Sequence, residues 1–256
     1  LLYPLILSDR LELILFIPNK LPIRRSVKIS EPQLLQLIQD FQVTLRDASS
    51  LDVIEPAAKL YDILIKPIEA DLAQTNTILY APDGLLRYVP LTALYDGKQW
   101  LVEKYGINNL VAYSLSDFGN KPPKDLRIVA GAFGGQPNSK KFGQVGLPAS
   151  LTEVQAIATA LPNTTKLLDN DFSRQATESL MRNNNIVHLA THAEFNIGKP
   201  ENSFLIFGNG DRILLNEMKD LPMSNVDLIV LSACQTGLGK LGNGIEILGF
   251  GYQVQR

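Results

Sequence analysis

Apolar positions recur at strand spacing through the first part of the chain, interrupted by turn residues. Leu1–Ile17 reads as two strands about the turn Ser8-Asp9-Arg10, and Leu21–Ile29 as a third. The period then lengthens. Ser30-Glu31-Pro32 opens a helix with Ser30 as N-cap and Pro32 in the first turn, and Leu34, Leu35, Ile38, Phe41 and Leu45 continue it at helical spacing. A second helix is predicted over Pro56–Ile65, with Leu60, Ile63 and Leu64 inward and Pro67 to end it. Thr77–Ala81 is a short buried strand. Pro82-Asp83-Gly84 follows as a turn, in which Pro sets φ and Gly supplies φ > 0.

The stretch Gly119-Asn120-Lys121-Pro122-Pro123-Lys124-Asp125 has the composition of a linker, and beyond it strands and helices alternate. Leu126–Ala132 is an apolar strand, Ala149–Leu161 a helix, and Ser173–Asn183 another helix capped by Ser173. Ile186–Thr191, Phe204–Phe207 and the strongly apolar Val226–Ala233 are strands. Strands apolar on both faces, alternating with helices, predict an α/β fold with a mostly parallel sheet flanked by helices, behind an N-terminal α+β region. The boundaries are placed at 1–120 and 121–256.

Composition narrows the class. A chain of 256 residues with 45% hydrophobic and 20% charged residues buries roughly 70–75% of its unfolded surface. Its 24 basic and 26 acidic residues nearly balance, so no electrostatic footprint for nucleic acid or an anionic membrane is expected. The apolar runs Leu1–Leu7 and Leu11–Ile17 are too short to span a bilayer, and no basic segment makes them a signal peptide. The single cysteine excludes an internal disulfide and fits a reducing, cytoplasmic setting. With no initiator Met and an apolar opening, the chain reads as a piece of a longer protein.

In open α/β sheets functional groups gather beyond the carboxyl ends of strands. Two predicted strands end in reactive residues: Ile186–His192 delivers His192, and Val226–Cys234 delivers Cys234, 234 − 192 = 42 residues later. If the strands are parallel neighbours, imidazole and thiol emerge at one sheet edge, as a Cys–His dyad requires. A free thiol titrates near about 8.5, and an adjacent imidazolium or helix N-terminus lowers that to roughly 3.5–7.5. The slender loop Gln235-Thr236-Gly237-Leu238-Gly239 lets a carbonyl approach. The Cys234 and Ala193 backbone N–H groups are candidate oxyanion donors.

Plainer readings stand beside these. A lone cysteine next to an apolar strand is usually a core residue. His188, in mid-strand, reads as a buried histidine with a satisfied partner. His188 and His192 form an H-x-x-x-H pair that would offer two metal ligands on a helix, but the strand context and the missing glutamate argue against a metal site. Gly237–Gly242 is formally G-x-G-x-x-G, yet its glycines do not follow the strand directly; it reads as an active-site loop, not a nucleotide site. Gly131-Ala132-Phe133-Gly134-Gly135 lacks the Lys and Ser/Thr of a phosphate loop and reads as a turn.

His188-Leu189-Ala190-Thr191-His192 followed by Leu231-Ser232-Ala233-Cys234-Gln235-Thr236-Gly237-Leu238-Gly239 resembles the paired signatures of the CHAT domain, a caspase-like module often carried behind tetratricopeptide repeats. The likeness extends to Tyr61–Pro67, to Tyr80–Pro90 with its Pro82-Asp83-Gly84, and to Ser203 with the strand after it. It covers nearly the whole chain.

The resemblance implies a caspase-like fold and cysteine endopeptidase activity on a protein or peptide substrate, with His192 as base, Cys234 as nucleophile, and neither cofactor nor metal. It makes residues 1–120 the N-terminal α+β part and 121–256 the caspase-like part carrying the dyad. Relatives would be bacterial and cytoplasmic, some of them regulated by partner proteins or guide complexes, and a regulatory protein or repeat domain is expected on the N-terminal side of this chain. Two departures qualify it. Ala193 stands where many caspase-like enzymes have Gly, which keeps the N–H but crowds the loop. The family also continues past Arg256 with the segment that completes the substrate pocket, so this piece alone is expected to be poorly active. Glu194 and Asn196 lie near the histidine in sequence, but no residue is assigned to orient it. The alternative is a catalytically silent caspase-like module that binds proteins through the same fold.

Overall fold

Leu11, Leu13 and Leu15 project from one face of strand β2 (Arg10–Leu15) and are almost fully buried. A computed structural model describes residues 1–47, 49–110, 124–194 and 202–233, and these form two compact units. In the first, β1 (Leu2–Ile6), β2 and β3 (Ile23–Lys28) make an antiparallel meander, with the predicted turn Ser8-Asp9-Arg10 between β1 and β2. β4 (Thr77–Tyr80) pairs parallel to β1, and β5 (Gly106–Asn109) parallel to β4, giving the order β3-β2-β1-β4-β5.

Two α-helices, packed against each other, follow β3. α1 (Glu31–Leu45) starts where predicted: the Gln33 side-chain oxygen accepts from the Ser30 N–H at 3.1 Å and from its hydroxyl at 2.8 Å. Leu34, Ile38 and Phe41 form its buried stripe. α2 (Ile54–Leu64) buries Ala57, Leu60, Tyr61 and Leu64. Ile63, expected inward, is only half-buried, because Tyr61 occupies the inward stripe instead. Past Leu64 the chain tightens into a 3-10 helix over Lys66–Leu72, so Pro67 ends the α-helix without ending the helical course. Gly84 adopts φ 47° at the predicted turn, and α3 (Leu101–Lys104) is a single turn before β5.

The second unit is built on four parallel strands: β6 (Ile128–Ala132), β9 (Thr164–Leu168), β10 (Ile186–Ala190) and β14 (Leu228–Ser232). Their order is β14-β10-β6-β9. Every residue of β6 is buried, as expected for a strand covered on both faces. α4 (Pro148–Ala160) joins β6 to β9, packing Val154 against Ile128, Ala130, Ala132 and Ala190. α5 (Arg174–Met181) joins β9 to β10, its cap Ser173 accepting from the Ala176 N–H at 3.1 Å. Phe172, just before α5, lies on the face opposite α4, where Gly131 has no side chain to obstruct its ring. The chain steps from β6 to β9 in one direction and then back across β6 to β10. Right-handed crossovers in opposite directions put successive helices on opposite faces.

Three short antiparallel strands follow β10: β11 (Ala193–Glu194), β12 (Phe204–Ile206) and β13 (Arg212–Leu214). A two-stranded hairpin of β7 (Lys140–Lys141) and β8 (Gln144–Val145) projects between β6 and α4. Among the described strands β14 is at an edge, and its Leu228 stays 50% exposed. Cys234, Asn196, the Gly237–Gly242 loop and most of the predicted linker lie outside the described residues.

Candidate active site

The strand order reverses between β6 and β10, and in a doubly wound sheet the crevice beyond such a reversal is where ligands bind. Phe133 leaves β6 there, and His192 leaves β10. Both exits are held tightly. The Phe133 N–H donates to the Ala190 carbonyl at 2.9 Å, and the Thr191 N–H to the Ser232 carbonyl at 3.0 Å, so the parallel ladder continues to the last residue before the loops. The Thr191 hydroxyl donates to the Ile206 carbonyl, and the Ile206 N–H to the His192 carbonyl at 3.1 Å. The backbone of His192 is thus anchored on its β14 side and on its β12 side.

The imidazole itself is half-buried. Its edge meets the buried Phe133 ring at 5.1 Å between centroids and 79° between planes. Nε2 lies 2.6 Å from the Val145 carbonyl oxygen. A carbonyl can only accept, so Nε2 carries the proton, and neutral His192 keeps Nδ1 as its basic nitrogen. The orienting group is therefore a backbone oxygen of β8. Glu194 sits on β11 opposite Phe204, and Asn196 is outside the described residues.

Ala193 is paired with Leu205 and is buried. Because Ile206 bonds to His192, the alternation of the antiparallel ladder turns the Ala193 N–H away from β12. It emerges directly after the histidine.

His188 belongs to a different environment. Only 8% exposed, it faces α4, with Nε2 2.8 Å from Glu153 Oε1. Glu153 Oε2 accepts the Ser232 hydroxyl at 3.2 Å. The two histidines thus take separate partners. Among the described residues, no three His, Cys, Asp or Glu side chains are grouped to hold a metal ion, and no helix is long and apolar enough to cross a membrane.

The loops around the crevice have tight geometry. Gly134, after Phe133, donates its N–H to Asp169 Oδ1 at 3.1 Å, and a Cβ there would come within 2.6 Å of that carboxylate. Gly135 has φ 105°. The glycines predicted as a turn divide accordingly: Gly131 lies within β6, while Gly134 and Gly135 shape its exit.

A parallel sheet flanked by helices, with a histidine at the point where strand order reverses, defines a caspase-like α/β unit. The family model of the CHAT domain matches residues 55–256, most of the chain, and the chain belongs to that family. No curated protein matches it.

Proposed function

We propose that this chain is the peptidase part of a CHAT protein, a cysteine endopeptidase with His192 as base and Cys234 as nucleophile. One observation carries the reading. β10 and β14 pair in parallel at a constant offset of 42 residues, from Ile186↔Leu228 (228 − 186) to Ala190↔Ser232 (232 − 190). His192 and Cys234 are separated in sequence by the same 42 residues.

In this reading Nδ1 of His192 takes the thiol proton of Cys234, and the thiolate attacks the carbonyl carbon of the scissile peptide. The new C–S bond moves negative charge to the carbonyl oxygen, which accepts hydrogen bonds from the N–H groups of Ala193 and Cys234. The imidazolium returns its proton to the leaving nitrogen as the C–N bond breaks. Water, deprotonated by Nδ1, then hydrolyses the thioester and regenerates the thiol. Throughout, the Val145 carbonyl holds Nε2–H and keeps the ring oriented.

The substrate is a protein or peptide, and neither cofactor nor metal takes part. Residues 1–120 form the N-terminal α+β part and 121–256 the caspase-like part. A regulatory or repeat domain on the N-terminal side and a bacterial, cytoplasmic setting accompany the reading. They follow from the family resemblance and from the single cysteine. Trapping with a peptidyl electrophile tests the dyad directly. Labelling of Cys234 that His192→Ala abolishes supports the enzyme. Labelling indifferent to His192→Ala leaves a protein-binding module.

A further inference from the structure

We propose that Lys141 and Asp169 are positioning residues for His192, clamping the β7–β8 hairpin so that the Val145 carbonyl stays on Nε2. The inference rests on His192 being the base. The hairpin cannot hold itself: its strands have two residues each, far short of what an isolated hairpin needs. Its turn is also strained. Phe142 and Gly143 have φ 54° and 83°, and the left-handed region costs a residue with a Cβ about 1–2 kcal/mol.

Contacts outside the hairpin offset this. Lys141 Nζ lies 3.1 Å from Asp169 Oδ1 and 5.4 Å from the centroid of Phe133, the ring that His192 abuts. The Phe142 ring rests on Gly210, where a Cβ would come within 2.8 Å of it. Gly146, at the hairpin's end, presses against Gln136, and a Cβ there would lie 2.4 Å from the Gln136 carbonyl oxygen.

Asp169 is a firm anchor. Its Oδ1 also accepts the Gly134 N–H, and its carbonyl oxygen lies 2.2 Å from where a Cβ on Gly208 would be. A chain of contacts therefore runs from the exit of β9, through Lys141 and the hairpin, to Nε2 of His192. The ion pair is partly open to water, its side chains 22% and 42% exposed, and such pairs contribute little to stability. Its loss should free the hairpin without unfolding the unit.

The chain has only two histidines, so each ring is separately observable by nitrogen-15 NMR of the full chain. In the parent, the His192 Nε2 proton should be seen directly, protected by Val145. In Lys141→Met, which keeps the apolar stem over Phe133, and in Asp169→Asn, that proton should exchange away while the His188 signals stay put. Cys234 should lose most of its alkylation advantage at pH 6, and Lys141→Arg should restore both readouts. A protected Nε2 proton and unchanged alkylation in both variants would overturn the clamp. If the proton is lost while alkylation is unaffected, the clamp stands and the assignment of His192 as base fails.

Discussion

His188 and Glu153 meet at 2.8 Å beneath the sheet's carboxyl edge, and the second oxygen of Glu153 takes the Ser232 hydroxyl. One carboxylate on α4 thus ties two neighbouring strands. His188→Ala should cost on the order of 1–3 kcal/mol, because it removes a buried, hydrogen-bonded ring and takes away the partner of Glu153 Oε1. His192→Ala, at a half-buried position, should cost little stability while removing peptide cleavage. Urea unfolding of the two variants checks this. A His188→Ala protein as stable as the parent but inactive would exchange the two roles.

The thiol provides a second test. At pH 6 an unperturbed cysteine is nearly all thiol. Cys234 should nonetheless be alkylated faster than a free thiol, since Nδ1 of His192 is available as proton acceptor while Val145 holds Nε2. Iodoacetamide kinetics on the parent and on His192→Ala measure the advantage. Equal rates in the two proteins would dismiss the dyad.

The strand–helix rhythm from Leu126 onward was legible because its periods are strong and its caps, such as Ser173, carry side-chain signals. The short strand β9, Thr-Thr-Lys-Leu-Leu, was missed because only one of its residues is buried and no alternation marks it. The histidine at the sheet edge followed from its place at the end of an apolar run. Its orienting partner did not, and could not have done. A backbone carbonyl 47 residues upstream leaves no trace in side-chain identity, which is why Glu194 and Asn196 drew attention instead. Glu153 was hidden for a related reason: a glutamate on an amphipathic helix reads as solvated until a buried histidine is seen opposite it.

Glu12 should make the N-terminal sheet sensitive to acid. It lies on β2 with its side chain only 4% exposed. Arg24 binds it through two nitrogens, Ser26 donates a hydroxyl hydrogen bond, and Arg10 adds a third contact. These hydrogen bonds, led by that of Arg24, hold its carboxyl well below the usual carboxylate range. A folded-state pKa below the unfolded one means stability that is present above the unfolded value and lost as pH falls toward the folded one. Glu12→Gln should therefore lower the melting temperature at pH 7, with the gap from the parent narrowing below about pH 4. A constant gap across that range would show that the charge of Glu12 is not what matters.

Gly131 is predicted to be the least replaceable position in β6. A Cβ there would sit 2.2 Å from the Phe172 ring, which is fully buried and packs at 5.2 Å against Phe207. The ring cannot swing away without disturbing that pair, so Gly131→Ala should destabilise the unit by about 1–3 kcal/mol through overpacking. The cause can be separated from any loss of backbone freedom by trimming the obstacle. Phe172→Leu alone leaves a void and should also destabilise, but in the double variant the new methyl and the vacated ring space compensate. The double variant should then be more stable than the sum of the single losses by about 0.5–3 kcal/mol. Denaturant midpoints of the four proteins give that coupling. Strict additivity would mean that Gly131 is needed for its backbone rather than for the space it leaves to Phe172.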